Sequence, residues 1–230
     1  MNLDLNRAVK KCKKIFVPSH QVKQDILKYT EIQEDRVIVI PHGYSCKIQN
    51  PINKTHNRKK QILYIGRVEA KKNILNLIKA FEIFNQKYPE YILILAGKIN
   101  QKYVEKNREV FKTKNIQLLG YVSEQKKYQL LADSACFAYV SMEEGFGIPI
   151  LEAFEFNLPV VCSNMPVLRE VGADACVYVN YNSLQEIVES IEKIILDQSL
   201  QNSLIQNGPK QLEKFNWQGV SKKYLEEILN

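Results

Sequence analysis

From residue 61 onward, short apolar runs alternate with amphipathic stretches, and this alternation constrains the fold more than any other feature of the chain. Within each run the apolar residues are mostly consecutive, which is typical of strands that are covered on both faces. The runs are QILYIG (61–66), YILILAG (91–97), IQLLG (116–120), CFAYV (136–140), LPVVCS (158–163) and CVYVN (176–180). The alternation predicts an α/β fold with a doubly wound, Rossmann-like parallel sheet, in which ligands bind at the carboxyl ends of the strands.

Helical periodicity fills the intervals between these runs. In the segment 73–88 apolar residues recur every three or four positions, and Asn73 precedes them as an N-cap. The segment 183–196 has the same pattern behind Ser183. Shorter helices are predicted at 101–114, 123–134 and 149–156.

A shorter unit precedes this domain. KIFVPS (14–19) and DRVIVIPHG (35–43) predict two strands, and QVKQDILKYT (21–30) predicts a helix between them. One strand-helix-strand unit cannot cover its own apolar faces, so it must pack on the main domain, on another copy, or on something absent from this chain. The predicted limits are 1–46 for this unit, 47–60 for a linker, 61–208 for the sheet domain and 209–230 for a helical tail anchored by Trp217.

Composition excludes several classes of protein. The 230 residues are 45% hydrophobic, which is enough for an ordinary core, and no apolar run approaches the roughly 18 residues that span a bilayer. The N-terminus lacks the apolar core of a signal peptide. Five cysteines form no CxxC pair, which favours reduced, mostly buried thiols in a cytoplasmic protein. The scattered histidines, His20, His42 and His56, argue against a metal cluster.

The net charge of +7 is concentrated in residues 1–60, which hold 13 Lys and Arg against 5 Asp and Glu. Such a surplus is either a solvated face or an attraction for an anionic membrane surface, a phosphorylated substrate or nucleic acid. No nucleic-acid-binding motif accompanies the charge, so nucleic acid is not a predicted partner. The expected location is the cytoplasm, with peripheral contact between residues 1–60 and the inner face of the membrane.

A glycine-rich bend follows the fourth of these strands, in EEGFGIPILEAF (143–154). Gly145 and Gly147 let the backbone approach a ligand closely and adopt conformations that are closed to other residues. Pro149 suits the first position of a helix, because an N–H group there would be unpaired anyway. The free amides of this helix start predict a phosphate site.

Two carboxylates flank the same bend. Glu144 stands just before it, and Glu152 would project near its mouth from one turn inside the helix. Carboxylates accept hydrogen bonds from sugar hydroxyls, so a ligand that carries both phosphate and hydroxyl groups fits the arrangement. The alternative is that acidic residues are simply favoured near helix starts.

A basic loop, GRVEAKKN (66–73), follows the first strand of the domain. Gly66 permits a tight turn there, and Arg67 and Lys72 supply two cations. In a doubly wound sheet this loop and the glycine-rich bend face the same edge. The two cations could neutralise a diphosphate there, or the loop could be a solvated basic turn.

Together these segments resemble the C-terminal, nucleotide-sugar-binding half of a GT-B glycosyltransferase of the retaining family 4 (glycosyl transferases group 1). The spacing of Glu144 and Glu152 matches the family's E-x7-E signature. The segment from Val17 to Gly43 resembles the last part of the family's N-terminal, acceptor domain, so 1–46 would be a remnant of it. The segments that follow the family's order are ILYIGRVEAKKNILNLIKAF, LAGK, LLGYVSEQKKYQLLADSACFAYVSMEEGFGIPILEAF, LPVVCSN, PVLREVGADACVYV and FNWQGVSKKYLE.

The resemblance implies catalytic roles for Arg67 and Lys72, which would bind the donor diphosphate, and for Glu144, which would hydrogen-bond the transferred sugar. Glu152 would bind the ribose hydroxyls, and the loop 120–122 would lie against the base. The other donor-binding residues that it implies are Gly66, Gly120, Tyr121, Val122, Gly145, Phe146, Gly147 and Ile148. Enzymes of this family transfer with retention and usually need no metal or other cofactor, and this chain has no DxD metal motif.

The chain departs from the family pattern in two respects. Asn157 stands where the family often has glycine, and most of the N-terminal domain, with its histidine-bearing loop, has no counterpart in these residues. His20 and His42 fall in the later, connecting segment, where structural roles are expected. Alone, the chain is therefore expected to bind the donor and to transfer little, because half of the cleft is missing.

Two functions remain open from the sequence. The first is a truncated or split donor-binding module of a hexosyltransferase, acting on a glycan or lipid-linked acceptor in surface polysaccharide synthesis. The acceptor half would then be removed by truncation or supplied by a second polypeptide; a homo-oligomer is the other expected assembly. The alternative is a non-catalytic nucleotide-sugar-binding or regulatory remnant that acts through a partner protein.

Overall fold

The computed structural model describes residues 7, 9–46 and 58–229. Its main element is a six-stranded parallel sheet with the order β5-β4-β3-β6-β7-β8. Strand order reverses between the two central strands, β3 and β6, so the switch point lies at their carboxyl ends. The strands are β1 (Ile15–Val17), β2 (Val37–Val39), β3 (Lys59–Ile65), β4 (Ile92–Ala96), β5 (Ile116–Gly120), β6 (Ser134–Tyr139), β7 (Val160–Ser163) and β8 (Cys176–Val179).

Helices cover both faces of this sheet, and the predicted doubly wound α/β fold is confirmed. Single turns of 3-10 helix lie at Glu34–Arg36, Ala70–Lys72, Ala173–Ala175 and Glu213–Phe215. The α-helices are α1 (His20–Tyr29), α2 (Ile74–Lys87), α3 (Gln101–Lys106), α4 (Arg108–Phe111), α5 (Glu124–Asp133), α6 (Ile148–Glu155), α7 (Pro166–Gly172), α8 (Leu184–Leu196), α9 (Gln198–Leu212) and α10 (Trp217–Leu229).

The six predicted strands of the main sheet are all present, with small changes in their bounds. β3 begins at Lys59 rather than Gln61, so Lys59 and Lys60 belong to the strand and not to a linker. Of the rest of the predicted linker, 47–57 lies outside the described residues and Arg58 directly precedes the strand. The predicted helix at 101–114 is two helices, α3 and α4, which meet at Asn107. The domain limits stay a prediction.

Two helices were not predicted, α7 and α9. α9 is mostly polar and contains Gly208 and Pro209, which ordinarily interrupt a helix. Gly208 nevertheless has a packing role, because a Cβ atom there would lie 3.2 Å from the Phe154 ring of α6. The missing side chain lets α9 approach α6 closely.

Two helix starts differ from the predicted chemistry. Asn73 occupies the N-cap position of α2 but has φ 58°, and its Nδ2 donates to the Tyr181 carbonyl at 2.7 Å instead of capping the helix. Pro149 is the second residue of α6, after Ile148, and not the first. Ser183 caps α8 as predicted, accepting from the Glu186 amide at 3.2 Å.

Asn157 follows α6 and explains one departure from the family pattern. Its φ is 52°, in the left-handed region that glycine adopts freely and asparagine tolerates better than most residues. The position therefore accepts asparagine at a small conformational cost.

A partly buried arginine, Arg58, links the ends of two helices. The Arg58 guanidinium donates to the carbonyls of Leu131 and Ala132 at the end of α5, and to those of Phe156 and Asn157 after α6. It also donates to the Ser134 carbonyl at 2.8 Å. Burial lowers the pKa of Arg58 to about 10, which leaves it charged at neutral pH.

The N-terminal unit packs on the main domain, one of the three possibilities that its composition left open. β1 and β2 form a two-stranded parallel sheet with α1 between them in sequence, over a small core of Val9, Val17, Ile32 and Val37. Helix α10 lies against β1 through an edge-on contact between the Phe16 and Tyr224 rings. Lys14 Nζ adds a 2.9 Å bond to Glu227 Oε2.

Trp217 does not form a buried anchor for the terminal helix. Its side chain is 52% exposed, but the indole lies directly on Gly43, where a Cβ atom would collide with the ring. Val220 is the buried residue of α10. In the part of the chain that the structure describes, no helix is long and apolar enough to cross a membrane.

Candidate functional site

The loops that follow β3 and β6 meet at the switch point of the sheet. Lys72 Nζ lies 2.6 Å from Glu144 Oε1 and 3.4 Å from the Glu143 carbonyl. A backbone bond from the Met142 amide to the Lys71 carbonyl, 2.9 Å long, ties the same loops together. The Lys72 and Glu144 side chains are only 13% and 9% exposed, so the pair is largely shielded from water.

Two tyrosines lie beneath this pair. The centroid of the Tyr139 ring is 5.9 Å from Lys72 Nζ. Tyr64 stacks on Tyr139, and its hydroxyl donates to the Arg67 carbonyl at 2.8 Å. Burial raises the pKa of both hydroxyls, and the Glu144 carboxylate raises that of Tyr139 further, so both stay protonated.

These two tyrosines were not predicted as site residues, because both belong to apolar strands and have the pattern of core residues. Their place at the carboxyl ends of β3 and β6 is the one signal that could have indicated them.

A cavity of about 530 Å³ opens beside the ion pair, between the main domain and the N-terminal unit. The main domain contributes both members of the pair and the glycine-rich bend, and α1 contributes one amide and one carboxylate. Its polar and glycine lining residues are Gln21, Asp25, Lys71, Lys72, Glu143, Glu144 and Gly145. The cavity thus combines two lysines, several carboxylates and exposed backbone.

Arg67 lies on the other side of its loop. It lines a smaller cavity of about 160 Å³ with Lys98 and Asn100, and its side chain is 64% exposed. Its Nη1 atom is 3.9 Å from Glu69 Oε2, too far for a hydrogen bond. Of the two predicted diphosphate ligands, Lys72 is therefore held in a tight pair, whereas Arg67 is held only loosely.

The strand ends at this edge pack closely through glycines. The Gly66 amide donates to the Ala96 carbonyl at 2.9 Å, and the Gly97 amide donates to the Gly120 carbonyl at 2.8 Å. Gly97 has φ 137°, and a Cβ atom there would collide with the Gly66 carbonyl. After Gly120, which has φ 70°, Tyr121 is 85% exposed and Val122 packs partly on the core.

The glycine-rich bend has the predicted character at one of its two glycines. Gly147 has φ 112° and is the N-cap of α6, whereas Gly145 needs no left-handed conformation. A Cβ atom on Gly145 would meet no atom within 4 Å, so the backbone there is open to a ligand. Among the described residues, the amides of Phe146 and Gly147 have no hydrogen-bond acceptor. Ile148 begins the helix and is 40% exposed.

Glu152 has a different partner from Glu144. Its Oε1 atom lies 2.6 Å from Lys127 Nζ of α5, and the two side chains are 14% and 19% exposed. Burial opposes the charge on Lys127, but the carboxylates of Glu152 and Glu124 outweigh it and raise the pKa of Lys127. Glu152 lines neither of the two cavities described above. Lys127 was missed, because its contact depends on how two helices pack.

The cysteines differ in burial, and three of the five are in the core. Cys136, Cys162 and Cys176 are buried, Cys46 is partly buried and Cys12 is exposed. The described ranges contain no group of three or more His, Cys, Asp or Glu side chains that could hold a metal ion. Metal independence stays a prediction.

The chain is similar in sequence to a family of known proteins. The profile of the glycosyl transferases group 1 family matches residues 47–211. O-antigen chain mannosyltransferase B of Escherichia coli is 35% identical over 170 residues, which cover 69% of this chain and 43% of that protein. Capsular polysaccharide biosynthesis glycosyltransferase CapM of Staphylococcus aureus is 27% identical over 222 residues, which cover 89% and 58%. This chain spans about half the length of these two relatives.

Solved structures share the fold at low sequence identity. Alr3699/HepE of Anabaena in complex with UDP-glucose superposes with a TM-score of 0.83 at 18% identity, over 97% of this chain and 65% of that one. TarM superposes with a TM-score of 0.79 at 19% identity, over 97% and 44%. The six-stranded parallel sheet and its flanking helices therefore share their fold with these two solved structures.

Proposed function

Because the chain belongs to the glycosyl transferases group 1 family, we propose that it is the donor-binding part of a hexosyltransferase. It would transfer a hexose, with retention, from a nucleotide-diphosphate sugar to a glycan or lipid-linked acceptor in surface polysaccharide synthesis. The names of its relatives, an O-antigen chain mannosyltransferase and a capsular polysaccharide glycosyltransferase, support this class of acceptor and make mannose the first candidate sugar.

The observation that carries the proposal is the Lys72–Glu144 pair beside the open bend at the switch point of the sheet. Lys72 would counter the charge that develops on the leaving diphosphate, and Glu144 would accept from a hydroxyl of the transferred sugar. Preorganised charges of this kind stabilise a transition state without a side-chain nucleophile.

Arg67 would supply the second cation. The Lys72–Glu144 pair is close to neutral as a unit, so a bound diphosphate needs further positive charge. Arg67 is loosely held, at 3.9 Å from Glu69, and is free to turn toward a ligand. The unpaired amides of Phe146 and Gly147 add donors on the opposite side.

Glu152 would bind the ribose of the donor through the oxygen that Lys127 does not occupy. Lys127 contacts Oε1 only, which leaves the second oxygen of the carboxylate available. The base would lie along 120–122, where the exposed Tyr121 ring offers a stacking surface.

The acceptor, the metal requirement and the partners belong to the same proposal. A domain outside these residues, belonging to a longer polypeptide or to a second polypeptide, would supply the acceptor site. The basic residues within 1–60 would contact the membrane surface that carries a lipid-linked acceptor. The donor would bind without a metal, because lysine, arginine and amide groups would neutralise its diphosphate.

A non-catalytic nucleotide-sugar-binding module remains the second candidate. It is favoured by the placement of Arg67 and Glu152 outside the cavity that Lys72 and Glu144 line. If the four residues do not converge when donor binds, the chain would bind a nucleotide sugar and act through a partner protein.

Calorimetric titration with UDP, GDP, ADP and their sugar forms tests the donor site. We expect one nucleotide to bind, and Arg67→Ala and Glu152→Ala each to weaken it at least tenfold. Arg108→Ala, at an arginine that is 76% exposed on α4, is the matched control and should bind as the unchanged protein does. Absence of binding to every nucleotide would contradict the proposal. Donor hydrolysis or transfer, measured with and without acceptor, separates the enzyme from the binding module.

A further inference from the structure

We propose that Ser19 of the N-terminal unit is a positioning residue for the donor site. Its hydroxyl holds the peptide between Gly145 and Phe146 in the orientation that presents the Phe146 amide to the donor. The inference rests on the proposed function of the bend, but it concerns a residue that lies outside the family motifs of the donor half.

The Ser19 hydroxyl has two partners and is almost fully buried. Its side-chain oxygen accepts from the Val22 amide at 3.2 Å, as the N-cap of α1. The same oxygen lies 3.1 Å from the Gly145 carbonyl, and the residue is 1% exposed. A hydroxyl has one proton, and a carbonyl can only accept, so that proton is directed at Gly145.

Holding the Gly145 carbonyl also orients the next amide. In a planar trans peptide the C=O and the following N–H point in opposite directions. With the Gly145 carbonyl turned toward Ser19, the Phe146 N–H points away from the N-terminal unit. Among the described residues this N–H has no acceptor, and the space beside Gly145 is open. If this peptide were flipped, its carbonyl oxygen instead of its N–H group would face the phosphate of the nucleotide sugar.

Two further contacts keep Ser19 in register with the bend. The Glu170 carboxylate of α7 accepts from the His20 amide at 2.9 Å and from the Gln21 amide at 3.3 Å, which fixes the start of α1 on the main domain. His42, from the same unit, packs edge-on against the Phe146 ring with 5.1 Å between ring centroids. The N-terminal unit therefore holds two successive residues of the bend.

Three variants separate positioning from helix capping. Ser19→Gly removes the hydroxyl and keeps an acceptable N-cap residue, since glycine is tolerated at a helix start far better than alanine. Ser19→Thr keeps both hydrogen bonds. Ser183→Ala is the matched control, because Ser183 caps α8 with the same 3.2 Å bond and makes no contact with the bend.

Binding of UDP, GDP and ADP is measured by calorimetry for each variant of the full chain. We expect Ser19→Gly to weaken binding of whichever nucleotide the unchanged protein takes about tenfold, as for one lost oriented hydrogen bond. Ser19→Thr and Ser183→Ala should bind as the unchanged protein does. Equal binding by Ser19→Gly would overturn the inference.

Amide hydrogen exchange of the free protein gives a second readout that needs no ligand. The segment 143–147 should exchange faster in Ser19→Gly than in Ser19→Thr or Ser183→Ala. If the unchanged protein binds none of the three nucleotides, the proposed function fails, and this comparison then decides the role of Ser19 alone. Unchanged exchange in Ser19→Gly would show that the hydroxyl does not hold the bend.

Discussion

The ammonium of Lys72 lies 2.6 Å from the carboxylate of Glu144, and the two residues come from loops after the two central strands of the sheet. The pair thus joins the two halves of the doubly wound fold at the edge where ligands bind in such sheets. It is both a structural bridge and the centre of the candidate site, so its removal should affect stability as well as binding.

We expect Lys72→Met to lower the free energy of unfolding by about 3 kcal/mol, because it leaves the shielded Glu144 carboxylate without its cation. The double variant with Glu144→Gln should recover part of that loss, since no charge is then left unpaired. Urea unfolding followed by circular dichroism measures both. Lys87→Met, which breaks the exposed pair with Glu192, is the control and should leave the midpoint unchanged. A double variant less stable than Lys72→Met would contradict this account.

Arg58 should matter more to folding than its flanking lysines. Arg58→Lys and Arg58→Ala should each lower stability by about 3 kcal/mol, because a lysine cannot reach the ends of both helices with a planar fork of donors. Lys59→Ala breaks an exposed bond to Asp133 and should cost less than about 1 kcal/mol. Thermal unfolding of the three variants checks this order. Full stability of Arg58→Lys would show that charge alone suffices.

The two glycines of the bend should separate stability from binding. Gly147→Ala forces a side chain into a left-handed conformation and 2.9 Å from Leu168 Cδ2, so we expect a loss of about 1–2 kcal/mol. Gly145→Ala meets no protein atom and should change stability by less than about 0.5 kcal/mol. Its methyl group would nevertheless obstruct a ligand that approaches the bend. Thermal unfolding and nucleotide titration together test this, and normal binding by Gly145→Ala would place the donor elsewhere.

Thiol titration should follow burial. Burial raises the pKa of Cys136 to about 12 from an ordinary value of 9.0, so the unfolded chain loses this proton first as pH rises. Cys136 therefore stabilises the fold fully below pH 9, and its contribution falls between pH 9 and 12. Cys136→Ala should show a shallower loss of stability across that interval.

At neutral pH an aromatic disulfide reagent should modify the exposed Cys12 and reach Cys136 only after unfolding.

The sequence predicted the sheet well because strands covered on both faces carry consecutive apolar residues. It missed α9, since that helix is mostly polar and contains Gly208 and Pro209, and its position depends on contact with Phe154. The predicted ends of strands and helices differ from the observed ends by a few residues; β3, for example, begins at Lys59 and not at Gln61.

The candidate site was predictable in its members but not in its pairings. Their spacing along the chain suggested that Glu144 and Glu152 line the same opening. In the folded chain Glu144 pairs with Lys72, and Glu152 pairs with Lys127. These pairings join positions 72 and 25 residues apart, and no local pattern encodes them. The contact between Ser19 and Gly145 spans 126 residues and was equally hidden.

The contact between Lys14 and Glu227 has a consequence for the order of folding during synthesis. The two residues are 213 positions apart, so Lys14 leaves the ribosome roughly 10 to 40 s before its partner at ordinary rates of translation. During that interval the Tyr224 ring, which packs on Phe16, has not yet been made, so this side of β1 is not covered by α10. The N-terminal unit therefore completes its native packing only after α10 has been synthesised.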